Sequence, residues 1–140
     1  MNDNQLWHSY KNGEAKIQGF LEDYAFVIDA FMFVYLITAN EKWLITSKKL
    51  SDYAIHNFYD EKQNTFFFTD ATKEKLVVRK SEWSDNVIPA SSSQMAINLY
   101  KLSIYFDETK YQDISQNLLK SVLKEIESYG PGYSNWAMLL

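Results

Sequence analysis

The strongest guide to the fold is the stretch Gly19-Phe20-Leu21-Glu22-Asp23-Tyr24-Ala25-Phe26-Val27-Ile28-Asp29. Apolar residues continue from it to Ile37 and fall on every face of a helix, so a helix over about residues 14–39 should be buried on almost all sides. Two adjacent carboxylates, Glu22 and Asp23, lie at its start. Buried carboxylates are costly unless they are paired, solvated or hydrogen-bonded. This conflict makes the start of the helix the first candidate site.

Composition narrows the class of protein. The chain has 140 residues, of which 46% are apolar and 16% aromatic, with only 4 Gly and 2 Pro. These values predict one domain over residues 1–140 with a sizeable core, and they argue against a β-sandwich. The net charge of −4 makes nucleic acid and anionic membranes improbable partners. The apolar run from Tyr24 to Ile37 is too short for a membrane span and contains Asp29.

The sequence also predicts a location and the use of cofactors. Residues 1–5 carry no basic region followed by an apolar run, so no signal peptide is visible, and we expect a cytoplasmic location. The chain has no Cys, which excludes a disulfide or a thiolate nucleophile. His8 and His56 are isolated and lack a matching carboxylate spacing, so we predict no metal site and no cofactor.

Beyond the first helix, periodicity predicts further elements. An amphipathic helix is expected over about residues 41–58, a mostly apolar one over 90–106 and another amphipathic one over 108–129. Between them, short β-rich runs predict one small β-hairpin, formed by Thr65–Thr69 and Leu76–Arg79. Gly130-Pro131-Gly132 should end the fourth helix, and Tyr133–Leu140 should begin a fifth.

The two halves of the sequence are related by a weak internal repeat, which we call the internal echo. Lys42-Trp43 corresponds to Lys110-Tyr111, and Ser47 and Leu50 recur as Ser115 and Leu118 at the same separation. Each half reads as a buried helix followed by an amphipathic one, and repeated helical hairpins indicate a solenoid or a closed α/α toroid. We therefore predict an all-α fold: helical hairpins of a partial (α/α) toroid, with inner helices 14–39 and 90–106.

The echo also relates the polar clusters. The position equivalent to Asp23 is Ser91, so the carboxylates and Ser91-Ser92-Ser93-Gln94 both open an inner helix. A third inner helix would begin at Tyr133-Ser134-Asn135-Trp136. In a ring of hairpins these helix starts meet at one rim, where free N–H groups and side-chain oxygens can bind a polyol, a carbonyl or an anion.

Several motifs, taken in order, resemble a known family. They are Phe20-Leu21-Glu22-Asp23-Tyr24-Ala25-Phe26, Trp43-Leu44, Phe66-Phe67-Phe68-Thr69, Arg79-Lys80, and Asp85-Asn86-Val87-Ile88-Pro89-Ala90-Ser91-Ser92-Ser93. Together they are similar to the C-terminal region of the family that includes YyaL and spermatogenesis-associated protein 20. The resemblance covers nearly all of this chain but only a minority of a full family member.

The resemblance implies an architecture and a class of chemistry. Family members pair an N-terminal thioredoxin-like domain with an (α/α) barrel similar to six-hairpin glycosidases and N-acylglucosamine 2-epimerase. The chain would then be a C-terminal fragment of such a barrel, and sugar chemistry would rest on fold analogy alone. Two departures matter: Asn64-Thr65 replaces a Gly pair, and Ala90-Ser91-Ser92-Ser93 replaces a Ser-Gly-Asn-Ser run.

The candidate catalytic residues are Glu22, Asp23 and Asp85. Carboxylates serve as general acids and bases in glycoside chemistry. Glu22 and Asp23 could equally complement a helix dipole, and Asp85 could be a turn or capping residue.

The candidate ligand-binding residues are polar or aromatic side chains near the same rim: Tyr24, Asp29, Arg79, Ser91, Ser93 and Trp136. Each has a structural alternative. Asp29 would bond a neighbouring helix, the serines would cap one, and the aromatic residues would pack in the core. Arg79 would pair with Asp23 or Asp85, bind an anion, or remain a solvated charge.

Two functions follow from these alternatives. One is a sugar-binding or sugar-processing site with a small carbohydrate ligand, and the other is a non-catalytic helical scaffold that docks proteins or forms a homodimer through exposed helix faces. The two differ in whether Glu22, Asp23 and Asp85 line one cleft. Because most of the implied ring is missing, we expect no robust catalysis from this chain alone.

Overall fold

The structure is a computed structural model that describes residues 4–72 and 79–140. Its elements are β1 (Trp7–Lys11), β2 (Glu14–Gln18), α1 (Leu21–Thr38), α2 (Glu41–Phe58), β3 (Tyr59–Asp60), β4 (Thr65–Phe66), α3 (Ser91–Phe106), α4 (Thr109–Ser128) and two 3₁₀ turns, Gly130–Tyr133 and Trp136–Leu139. The chain is therefore mostly helical, as predicted. No helix of the described residues is both long and apolar enough to cross a membrane.

The first helix begins later than the sequence predicted. Residues 14–18 form β2, which pairs antiparallel with β1, rather than the first turns of a helix. The cause is the Asn12-Gly13 turn, in which both residues have positive φ, 54° and 82°. Asn-Gly in this conformation is the preferred two-residue connection of a β-hairpin.

The burial of α1 also differs from the prediction. Its buried side chains lie along one side: Leu21, Tyr24, Ala25, Ile28 and Met32. Phe33, Leu36 and Ile37 near its C-terminal end are instead 63%, 64% and 71% exposed. The apolar residues on all faces therefore reflect one side packed in the core and another left open.

Helices α1 and α2 form an antiparallel hairpin. Ser47 Oγ donates to the carbonyl of Ile28, and Trp43 packs on Phe31 farther along α1. The second hairpin, α3–α4, repeats this geometry, since Ser115 Oγ donates to the carbonyl of Ala96. In both cases the hydroxyl reaches a carbonyl 19 residues back in the chain. The internal echo thus corresponds to two hairpins of the same build.

The two first helices lie side by side and run parallel. Asn98 Nδ2 donates to the carbonyl of Ala25 (2.7 Å), and Lys101 pairs with Asp29 (3.0 Å). Contacts thus advance along α1 and α3 in the same direction, and both helices start at the same end of the molecule. A layer of α2 and α4 covers one side of this pair. Two adjacent hairpins are the extent of the array in the described residues.

The predicted hairpin around residue 70 takes another form. Thr65–Phe66 is a strand, but its partner is Tyr59–Asp60 directly after α2. Residues 76–78 of the proposed second strand lie outside the described residues, and Arg79 is not in a strand. The tight link from α2 into β3 makes the preceding residues the nearest available partner for β4.

The fifth helix is also replaced. Tyr133–Leu140 contains only the second 3₁₀ turn, Trp136–Leu139, which follows the first one at Gly130–Tyr133. The segment is shorter than the roughly 12–15 residues at which an isolated helix becomes stable. Tertiary contacts therefore set its path: Trp136 is fully buried and joins the core.

Candidate functional site

The starts of α1 and α3 border a shared cleft, which we call the acidic cleft. Its volume is about 370 Å³. It is lined by residues from the first turn of α1 and from the segment leading into α3: Glu22, Lys80, Ser81, Glu82, Trp83, Ser84, Asn86, Ile88, Pro89 and Ala90.

Backbone hydrogen bonds position the segment after residue 79 against α1. The N–H of Leu21 donates to the carbonyl of Phe68 (3.0 Å), and the N–H of Phe68 donates to the carbonyl of Lys80 (2.8 Å). Phe68 also stacks on Phe20, with ring centroids 4.9 Å apart. This ladder brings Glu82 beside Glu22 although the two are distant in sequence.

Glu22 is the predicted catalytic residue that the structure places in the cleft. Burial raises its pKa, and the negative charges of Asp23 and Glu82 raise it further, while His8 acts in the opposite direction. A carboxyl group whose proton is held more tightly than usual can donate that proton to a ligand. Glu22 and Glu82 therefore form the polar centre of the cleft.

Asp23 is instead used to begin α1. Its Oδ2 accepts a hydrogen bond from the backbone N–H of Phe20 (2.8 Å), which satisfies one free donor of the helix start. His8 Nδ1 lies 3.0 Å from the same carboxylate, so β1 is fastened to α1. The position in the first turn agrees with the alternative considered from the sequence, an acid that complements the helix dipole, and the hydrogen bond to Phe20 adds a cap that was not predicted.

Asp85 has a comparable position at the start of α3. Its Oδ1 accepts from the N–H of Ala90 (2.9 Å) and from Ser93 Oγ (2.8 Å). Its Oδ2 accepts from the N–H of Asn135 (2.8 Å), and its own N–H donates to the carbonyl of Gly132 (2.7 Å). The carboxylate thus joins α3 to the C-terminal turns, and it does not line the acidic cleft.

The two serines at the start of α3 have different partners. Ser91 Oγ donates to Glu82 Oε2 (3.1 Å) and so orients that carboxylate at the cleft. Ser93 Oγ donates within the cap described above and accepts from Asn135 Nδ2 (3.0 Å). Ser93 and Asn135 are thus in direct contact and Ser91 is joined to Glu82, although residues 133–136 do not start a third inner helix as predicted. The hydroxyl of Ser91 contacts the acidic cleft through Glu82.

Two predicted aromatic contacts are core contacts. Tyr24 is 1% exposed, stacks on Tyr53 and accepts a hydrogen bond from the N–H of Leu6 (2.9 Å). Burial raises its pKa. Trp136 is fully buried, and its Nε1 donates to the carbonyl of Trp83 (2.7 Å). Neither ring lines the acidic cleft.

Asp29 and Arg79 are also engaged elsewhere. Asp29 forms the ion pair with Lys101 on the face of the two helices. Arg79 donates to the carbonyl of Thr69 and lies over the ring of Phe67, 4.3 Å from its centroid. Burial lowers the pKa of its guanidinium. Among the described residues Arg79 makes no ion pair with Asp23 or Asp85, which differs from one of the predicted pairings.

Glu82 is the functional candidate that the sequence analysis missed. It lies in Ser81-Glu82-Trp83-Ser84, a polar segment with one aromatic residue that precedes the family-like motif at Asp85. The sequence signal that could have identified Glu82 is an acidic residue next to a Trp, a few residues before the start of a predicted helix. Within residues 4–72 and 79–140, no three His, Cys, Asp or Glu side chains lie close enough to hold a metal ion.

Fold and site together define a pair of α-helical hairpins with a carboxylate-bearing cleft at the start of the inner helices. No family model matches the chain. The chain is 23% identical over 118 residues to uncharacterized protein B0495.5 of Caenorhabditis elegans. The matched region is 84% of the chain and 16% of that protein.

Spermatogenesis-associated protein 20 is a second relative. The mouse protein is 29% identical over 96 residues, 68% of the chain and 12% of that protein. The rat protein is 32% identical over 85 residues, 60% of the chain and 11% of that protein. These partial similarities support a relationship to the family of spermatogenesis-associated protein 20. The chain spans less than a fifth of the length of these relatives.

Proposed function

We propose that this chain supplies part of the mouth of an (α/α) barrel and binds a neutral, polyhydroxylated ligand such as a sugar at the acidic cleft. The observation that carries the proposal is the position of Glu22, in the first turn of α1, and Glu82, which the backbone ladder through Phe68 brings to the same cleft of about 370 Å³. The family resemblance supports the barrel, and the cleft supports the ligand.

The chemistry of the lining favours hydroxyl groups over anions. Carboxylate oxygens accept hydrogen bonds and match the O–H donors of a sugar. Glu22 and Glu82 repel a negatively charged ligand, and the lining has one cation, Lys80, against these two acids, so it keeps a net negative charge. The indole of Trp83 adds an apolar surface of the kind on which a sugar ring stacks.

A catalytic role is a further part of the proposal. Glycoside chemistry uses a pair of carboxyl groups, one of them with a raised pKa as the general acid. Glu22 would serve as the general acid and Glu82 as the second carboxylate. Asp23 and Asp85 would hold the starts of α1 and α3 in place. We expect the chain alone to bind ligand without turnover, because it spans so little of its relatives.

Saturation-transfer NMR with glucose, N-acetylglucosamine and maltose tests binding directly. We expect weak binding, with a Kd of about 1 mM, of at least one of these sugars. Glu82→Gln and Glu22→Gln each remove a charged acceptor and should weaken it roughly tenfold, about 1.4 kcal/mol.

The matched control is Glu127→Gln, an exposed glutamate on α4 that does not line the cleft. This variant should bind like the unmodified chain. Absence of a transfer signal from all three sugars, or equal weakening by all three substitutions, would contradict the proposal.

A further inference from the structure

In the part of the chain that the structure describes, α1 and α3 leave one face uncovered, which we call the open face. It is formed by large apolar side chains of α1 and α3 on the side away from α2 and α4: Phe33, Leu36, Ile37, Tyr100 and Ile104. Within each helix the spacing is three or four residues, so the side chains form a stripe. Their exposed fractions run from 43% to 71%.

The open face is large enough to matter. At about 200 Å² for a complete large side chain, it presents roughly 600 Å² of apolar surface. That equals the upper end of the largest apolar patch on a typical monomer, about 300–600 Å². A stable interface buries roughly 800 Å² per partner, so the stripe and its flanks supply most of one.

The open face also carries one charge of each sign. Asp29 of α1 and Lys101 of α3 pair across the two helices, with side chains 41% and 45% exposed. A second copy turned about a two-fold axis places its lysine against the aspartate of the first, and the reverse. The face is therefore complementary to itself in charge as well as in apolar surface.

From these features we infer that the open face is a two-fold interface at which two copies of this chain pack α1 and α3 against α1 and α3. The pairing buries both apolar stripes and converts each intrachain ion pair into a four-charge network. The pairing does not use the acidic cleft, which lies at the start of the helices whereas the stripe lies toward their ends. It concerns this chain by itself, since in the proposed barrel the same face would meet other hairpins.

Sedimentation velocity across a concentration series tests the interface. The unmodified chain should sediment as a dimer at high micromolar concentration. Ile104→Glu should yield monomers. The dissociation constant of the dimer should rise at least a hundredfold, because each dimer would have to bury two charged glutamates. The matched control is Ile45→Glu, since Ile45 is also an exposed helical isoleucine, 45% accessible, but lies on α2. It should remain dimeric.

Charge reversal gives a second test that does not depend on the apolar residues. Asp29→Lys leaves two positive charges on the face and Lys101→Asp leaves two negative ones, so each variant alone should be monomeric. Mixing the two should restore a one-to-one dimer. Circular dichroism establishes that each variant is folded. A monomeric unmodified chain, a dimer that survives Ile104→Glu, or no association in the mixture would overturn the inference.

Discussion

The two inner helices begin in different ways, although both rely on an aspartate. In α1 the cap is local, because Asp23 reaches back to the N–H of Phe20 within its own first turn. In α3 the cap comes from outside the helix, since Asp85 accepts from Ala90 and from Asn135 near the C-terminus. The first cap fixes α1 and, through His8, the nearby strand β1, whereas the second joins α3 to the C-terminal turns about 50 residues away.

The largest effect should follow removal of the external cap. Asp85→Ala leaves the N–H of Ala90 and the N–H of Asn135 without their acceptor, while the hydroxyl of Ser93 keeps the carbonyl of Ala90 as a partner. Hydrogen bonds to a charged group contribute about 1.5–3 kcal/mol each, with overlap among neighbours. We expect the free energy of unfolding to fall by about 3 kcal/mol in urea titrations.

Asp85→Asn is the control for this loss, because its amide oxygen keeps one acceptor and should recover about half of the stability. The Trp83–Trp136 stack gives an optical readout of the C-terminal turns. If Asp85→Ala lowers the free energy of unfolding less than Asp23→Ala does, the cap of α3 does not stabilise more of the molecule than the cap of α1.

A smaller effect should follow removal of the local cap. Asp23→Ala loses the bond to Phe20 and the contact with His8, and caps of this kind contribute about 1 kcal/mol. Asp113→Ala is the matched variant, an exposed aspartate on α4 outside the open face. It should change the free energy of unfolding by no more than about 0.5 kcal/mol. Equal losses from both aspartates, measured by urea denaturation, would rule out a capping role for Asp23.

The long helices were predictable because their periodicity is strong. Helix α2 was expected over residues 41–58 and spans Glu41–Phe58, and α3 and α4 agree within about one residue. The hairpin echo was also readable, because Ser47 and Ser115 make equivalent bonds. Ring closure stays a proposal, since only two hairpins are described.

Other features depended on signals that periodicity does not carry. Residues 14–18 became a strand because Asn12-Gly13 forms a tight turn, which a helical reading of the apolar residues overlooked. Glu82 was missed because a backbone ladder through Phe68, and not sequence spacing, brings it to Glu22. The sequence left open whether Asp85 faces a ligand or caps a helix. The cap could not be predicted, because Asp85 is also held by Gly132 and Asn135, about 50 residues away in the sequence.

A common acidic mouth at the starts of α1 and α3 requires Glu22 and Glu82 to share one cleft. Carbon-detected NMR titration of the Glu22 carboxyl measures this directly. Its pKa should lie above the ordinary value of 4.5, because burial and two neighbouring acids oppose ionisation. The proton is therefore held more tightly in the folded chain. Any stability that Glu22 contributes is full below pH 4.5 and is lost as pH rises through the folded pKa.

Glu82→Gln removes one of the opposing charges and should lower the pKa of Glu22, while Glu127→Gln should leave it unchanged. A Glu22 carboxyl that titrates at its ordinary value, or that does not respond to Glu82→Gln, would mean that the starts of α1 and α3 do not form a common acidic mouth.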